Sequence, residues 1–330
     1  MHKLAPTIVA VLTPLAYIAQ RWTPSPRTLQ RAALAAVLMS VAIIVTGGAV
    51  RLTSSGLGCD TWPKCTDNSL VATPEQGIHG AIEFSNRMLT YVLSAAVGWA
   101  IIAARAAKPR RRPLTRLAWS QFWLVMSNAV LGGITVLAGL NPWTVAGHLL
   151  AALGLLTVAT LTWLRTREGD GAPRPRVPRP LFRLCSVLLV ATALLMAAGT
   201  IVTGTGPHAG DSSDVPRMPF DWVATVHLHE VLAFVVVALA AAMWVGLRVV
   251  DAPLDTRKIA RNLVLVLLAQ GVIGYVQYLT DLPEVLVGVH MFGLALVWIG
   301  TLRMRMCLRE RPVTTAEIPA QADAALSPAV

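Results

Sequence analysis

Eight apolar runs of about 20 residues each, matched to the ~30 Å of hydrocarbon a helix must cross, constrain this chain more than any other feature. They fall near residues 31–50, 79–104, 117–138, 143–164, 181–203, 221–247, 262–280 and 285–302. Lipid offers no hydrogen bonds, so every backbone N–H and C=O in such a run must be satisfied within its own segment, which makes each run a helix. The expected fold class is therefore an all-α polytopic membrane protein with eight transmembrane helices.

The basic residues orient these spans. Of 28 Lys and Arg, 24 fall in alternate loops or beyond the outer spans, while Arg51, Lys64 and Arg217 lie on the other side and Arg87 sits within the second span. By the positive-inside rule both termini are cytoplasmic. The net charge of +11 reports topology, and no nucleic-acid partner is expected. Residues 4–20 are also apolar, but Pro6 and Pro14 interrupt them and no A-x-A site follows, so they read as an uncleaved interfacial or flexible extension. Past Arg311 the chain turns to Ala and Pro without hydrophobic pattern and reads as disordered.

Cys59 and Cys65 stand in the first outer loop, "GLGCDTWPKC", where an oxidising compartment lets a C-x5-C pair close as a disulfide. A metal site is the alternative, disfavoured because no His or further Cys stands close in sequence.

The chain is written twice. "LGGITVLAGLNPWTVAGHLLAALGL" around 131–155 reads like "IGYVQYLTDLPEVLVGVHMFGLAL" around 273–296, and "GGAVRLTSSG" from Gly47 resembles "GTIVTGTG" from Gly199. Gly132 and Gly274 each precede a histidine, His148 or His290, by 16 residues; Asn128 and Gln270 precede the same histidines by 20. Two parallel-repeat four-helix bundles follow, with a pseudo-twofold axis along the membrane normal because each unit holds an even number of spans. The implied segments are an extension at 1–30, an N-terminal repeat at 31–166, a basic linker at 167–180, a C-terminal repeat at 181–307 and a disordered tail at 308–330.

The repeat offset lays "EFSNRML" over "HLHEVL" and pairs Asn86 with His229. At ~1.5 Å rise per residue, His148 lies roughly 9 Å along its helix from Pro142, His290 about 10 Å from Pro283, and His229 about 12 Å from Asp221. Three histidines and one asparagine thus share a level near the outer surface. Polar side chains at membrane depth normally face the bundle interior and mark a site. An isolated histidine can simply bond a neighbouring carbonyl, and transport is a second reading, but transport recruits carboxylates or broken helices at the midplane. Haem ligation by facing imidazoles accounts best for repetition at matched depth.

His229 and His290 then form a bis-imidazole pair. His227 is ~200° around the helix from His229, so only one can face the centre, and the repeat selects His229. His208 reads as a loop residue, and His2 carries no signal. In the N-terminal half His148 faces Asn86, a poor iron ligand, so this half holds a haem through one nitrogen or through a more distant partner, His79. The inequality suggests a permanent electron carrier in one half and an exchangeable haem in the other. His79, Glu83 and Asn86 line one helix stripe, with Arg87 four residues after Glu83. Glu83 is placed for proton transfer at the open side of that haem; a Glu83–Arg87 helix-surface pair is the plainer alternative.

"GGAVRLTSSGLGCDTWPKC", "IEFSNR" and the two late "GH" and "VH" helices resemble haem A synthase over roughly residues 31–305. The resemblance implies an oxidoreductase that converts the C8 methyl of haem O to the formyl group of haem A by successive hydroxylations and loss of water. It implies haem b in the C-terminal half, bound by His229 and His290, and the substrate haem in the N-terminal half, bound by His148 with Asn86, Arg87 and His79 in its pocket. It also implies Glu83 as the catalytic glutamate and a Cys59–Cys65 disulfide. Haem O synthase, cytochrome oxidase assembly factors and an electron donor are the partners it suggests, at the cell membrane with haem sites near the outer face. Two departures stand out: the family often has E-x-x-H-R where this chain has "EFSNR", and the second outer-loop cysteine pair of some members is missing from "GTGPHAGDSSDVPRMPFD". The functional alternative is a two-haem b-type cytochrome that transfers electrons without modifying its cofactor.

Overall fold

The computed structural model describes residue 14 and residues 16–313. Its long helices are α1 Pro26–Leu52, α2 Gly77–Ala106, α3 Arg112–Leu137, α4 Pro142–Arg165, α5 Arg179–Thr205, α6 Trp222–Val249, α7 Leu254–Leu279 and α8 Glu284–Cys307. A single 3-10 turn, Pro74–Gln76, leads into α2. All eight helices are long and apolar enough to cross a membrane. Large apolar side chains such as Leu38, Tyr91, Val190, Phe234 and Val272 remain exposed on the spans, as a lipid-facing surface requires.

Helix ends depart from expectation where polar residues ride on a helix. α1 begins at Pro26, inside the segment expected as an extension to residue 30, because Ser25 caps it by accepting the Thr28 N–H at 3.1 Å and proline suits the first turn. α7 begins at Leu254, eight residues before its apolar run, and carries Arg257, Lys258 and Arg261 in its inner turns. Within the segment expected as a tail from residue 308, Arg309–Glu310 pairs antiparallel with Arg174–Pro175 of the linker. Of the stretch 4–20, residues 14 and 16–20 are described and helical; residues 1–13, 15 and 314–330 lie outside the described residues.

Packing follows a regular scheme. In the first half α1 packs on α2, α2 on α3, α3 on α4 and α4 back on α1, and the second half repeats this ring with α5, α6, α7 and α8. The halves meet through α1 with α8, α4 with α5, and α4 with α8. Exchanging α1–α4 for α5–α8 leaves this whole set of pairs unchanged, with α4 and α8 meeting on the exchange axis. The connections match as well: Gly139 and Leu140 (φ 59° and 56°) turn α3 into α4, and Asp281 and Leu282 (φ 57° and 59°) turn α7 into α8. In each turn the leucine N–H closes on a carbonyl five residues earlier, Thr135 or Gln277, at 2.9 Å. This geometry is compatible with two four-helix repeats about a membrane-normal axis.

Loops fasten the halves at both ends. At the end that carries the Cys59–Cys65 loop, Gly56 N–H donates to Gly210 O at 2.7 Å, Leu57 N–H to Asp211 Oδ2 at 3.3 Å, and Arg51 Nη2 to Thr203 O at 2.8 Å. At the opposite end, Gly169 and Gly171 N–H donate to Arg311 O and Pro312 O, Arg311 pairs with Glu168, and Arg111 pairs with Asp170 at 2.8 Å. On the axis the Trp298 indole donates to Thr157 Oγ1 at 2.7 Å.

Candidate functional site

His148 is the seventh residue of α4 and His290 the seventh of α8. The Trp298–Thr157 bond joins the residue eight past His290 to the one nine past His148, so the two helices run in register and their histidines share a depth. Met291, beside His290, lies where a side chain on Gly48 of α1 would go, and one turn outward Arg51 meets Thr203 of α5. Gly47 and Gly199 therefore stand at this level too, and with Gly199 comes His229 of α6. Asn86 of α2 joins the layer through Thr46, whose hydroxyl donates to Asn86 Oδ1 at 2.7 Å.

Each imidazole lies against a glycine of the preceding helix. A Cβ built on Gly132 would be 3.2 Å from His148 Cε1, one on Gly199 3.2 Å from His229 Cε1, and one on Gly274 3.6 Å from His290 Cε1. A methyl group at Gly132 or Gly199 would press on the ring, while at Gly274 it would make ordinary contact and only a larger residue would crowd it, so these glycines make room for the imidazoles. At the fourth equivalent place, Gly47, a Cβ would meet nothing within 4 Å. There the ring is replaced by Asn86, drawn toward α1 by Thr46. The Gly-to-His spacing of 16 was visible in the sequence as a sign of duplication; its supporting role was not.

In all three imidazoles Nδ1 is sealed from solvent without a hydrogen-bond partner, and Nε2 is not among the sealed atoms. A buried ring nitrogen left unpaired costs about 1–3 kcal/mol, so this arrangement leaves Nε2 as the atom free to take a ligand. His229 lies within electrostatic range of His290. Two neighbouring imidazoles suit an iron held from both sides; a single imidazole, with an amide at the place equivalent to the second, suits an iron held from one. The donor set thus fits haem, unequally in the two halves. Among the described residues no cluster of three or more His, Cys, Asp or Glu is placed to hold a bare metal ion.

The stripe on α2 turns toward the first outer loop. Glu83 is buried, with 5% exposure, and both its oxygens are engaged: Oε2 accepts the Cys59 N–H at 2.5 Å, and Oε1 accepts Arg87 Nε at 3.1 Å and Nη2 at 2.5 Å. Arg87 completes its set by donating to the carbonyls of Cys59, Thr61 and Lys64 at 2.9–3.0 Å. The Glu83–Arg87 pair is therefore buried under the loop instead of lying on the helix surface. His79, about 10 Å outward of Asn86, is exposed and bonds Ser55 Oγ at 3.0 Å. Cys59 and Cys65 are joined in a disulfide, fully buried. Trp62 of the same loop packs onto Gly133 of α3. The loop so roofs the first half from α2 to α3. Nothing in the residue types foretold this, because most of the acceptors are backbone carbonyls.

Two further described histidines lie in other surroundings. His227 is exposed and 3.4 Å from Glu230, and His208 Nε2 bonds Leu282 O at 2.9 Å.

Residues 30–302 match the COX15-CtaA family, whose description is cytochrome oxidase assembly protein. Among relatives named heme A synthase, that of Rhodopseudomonas palustris is 28% identical over 319 residues, covering 80% of this chain and 84% of its own. That of Listeria welshimeri is 27% identical over 231 residues, covering 64% of this chain and 73% of its own. For the relative from Exiguobacterium sibiricum, 24% identical over 192 residues, the match covers 56% of this chain and 64% of that protein. The match to the relative from Shewanella oneidensis spans 43% of that protein's length. With its eight apolar helices and a match across nearly the whole bundle, the chain belongs to the COX15-CtaA family of cytochrome oxidase assembly proteins.

Proposed function

We propose that this protein is a haem A synthase, an oxidoreductase that converts the C8 methyl of haem O to a formyl group by successive hydroxylations and loss of water. The observation that carries this reading is the inequality among equivalent places: in the second half His229 and His290, each seated against a glycine, lie within electrostatic range, whereas in the first His148 sits against Gly132 and Asn86 bonds Thr46. Haem b, when bound between His229 and His290, supplies one-electron transfer.

The chain's own residues do the rest. His229 and His290, pinned against Gly199 and Gly274, hold the resident haem in the repeat 181–307. His148 holds the substrate in the repeat 31–166, and Asn86, tied to Thr46, leaves the opposite face uncovered. Glu83, one turn outward of Asn86, is the group that handles protons there, oriented by Cys59 N–H and Arg87. The disulfide loop above it shields the reacting edge from bulk water. Both termini lie on the cytoplasmic side of the cell membrane, as the basic loops demand, and the haem layer lies near the outer face. Haem O synthase upstream, oxidase assembly factors downstream and an electron donor complete the partners.

The test is to extract haems from cells that make this protein together with a haem O synthase and separate them by chromatography. A formylated haem is the expected product. Two bound b-type haems with no formylated product would identify the electron-transfer cytochrome instead, and a purified protein without a Soret band would remove haem chemistry altogether.

A further inference from the structure

Resting on the haem reading, we infer that Arg51 is the cation that receives a propionate of the haem held between His229 and His290. Arg51 ends α1, yet its guanidinium reaches across to the other half, where Nη2 donates to Thr203 O at 2.8 Å. α1 and α5 do not pack on each other, so the side chain bridges a gap between them. In the repeat alignment Arg51 and Thr203 are counterparts, each four residues past a glycine of the imidazole layer, Gly47 or Gly199. The guanidinium therefore sits at the pseudo-twofold axis, one turn, about 6 Å, outward of that layer.

Its bonding is incomplete. Nε is sealed from solvent without a partner, and Thr203 O is the one protein acceptor the guanidinium has. Among the described residues Arg51 forms no ion pair, and the charged group that acts on it is a second cation, Arg217 of the neighbouring outer loop. A half-buried guanidinium without a carboxylate leaves a desolvated charge uncompensated, and a fork of N–H donors matches a carboxylate.

The direction of the missing carboxylate follows from the layer. Imidazoles on two helices would hold such a group between them, leaving its propionates to lie toward one end of the bundle or the other. The inward end is apolar, packed with Leu188, Val236 and Leu267, where an ionised carboxylate is costly. The propionates would accordingly lie outward, at the level of Arg51.

The experiment compares iron protoporphyrin IX with its dimethyl ester, in which both propionates are uncharged, as ligands for detergent-purified protein stripped of haem. The native chain should hold the free acid about tenfold or more tightly than the ester, read from Soret titration and from the rate of transfer to apomyoglobin. In Arg51→Gln the preference should collapse to near unity, with the ester held as in the native protein, and Arg51→Lys should recover part of it. If Arg51→Gln keeps the full preference, or weakens acid and ester alike, Arg51 serves only to tie α1 to Thr203 and the assignment is overturned. If the native protein binds neither porphyrin, the haem reading beneath it falls as well.

Discussion

Glu83 and Arg87 were legible as a pair at helical spacing, but their burial was not. Side-chain spacing on α2 says which residues are neighbours; it cannot say that Cys59 N–H and three loop carbonyls converge on them, because backbone groups leave no mark in residue types. Breaking a buried ion pair by removing one partner costs about 3–5 kcal/mol. Glu83→Ala should thus lower the thermal midpoint in detergent, and it should accumulate haem O or a hydroxylated intermediate while the His229–His290 absorbance remains. Arg87→Ala separates two roles: an equal loss of haem A would assign the pair to holding the disulfide loop, whereas a smaller loss marks the carboxylate itself as the group that handles protons, and the smaller loss is expected. Asn86 was read from the repeat as the odd member of the layer, and the structure adds why it stays apart, since Thr46 claims its oxygen. Asn86→His should give the first half a second axial nitrogen and convert its bound haem to a low-spin spectrum. Undiminished oxidation in that variant would remove the argument for an open face.

Apolar runs located all eight helices, because burying about 20 residues in lipid leaves the chain no alternative. They misplaced the starts of α1, α3 and α7, whose first turns carry arginine or lysine and so lower the local hydropathy. The two-residue strands were invisible, being too short to show alternation. What periodicity could not reveal is how neighbouring helices accommodate the imidazoles, a matter of glycine surfaces at single positions. Gly199→Val tests this directly. Branched carbons placed on a Cβ already 3.2 Å from His229 Cε1 must displace the ring. Overpacking of this kind costs typically about 1–3 kcal/mol, and the reduced-minus-oxidised haem b signal per protein should fall at least several-fold. Gly47→Val, at the place with nothing within 4 Å, should leave that signal intact.

At the scale of the molecule, the exchange of α1–α4 for α5–α8 preserves the packing scheme, and the duplicated sequence motifs already pointed to it. The fastenings between halves were not foreseen, because they join loops distant in sequence through backbone bonds and isolated charges. Inside, Glu168 collects Arg165 and Arg311 and thereby links the linker to the residues after α8. Glu168→Ala should release that end. The site is partly exposed, so a loss of roughly 1–2 kcal/mol is expected, seen as a thermal midpoint lower by a few degrees with haem content unchanged. A midpoint equal to that of the native protein would show that the inner fastening adds nothing measurable.

The glycines behind the three rings also carry a message for lineages. Where a relative retains the imidazole, the position opposite it has little room to grow, so drift at 132 and 199 should appear chiefly in relatives that lack the matching histidine, with 274 tolerating alanine. Position 47, which meets no ring, should wander more than its three counterparts.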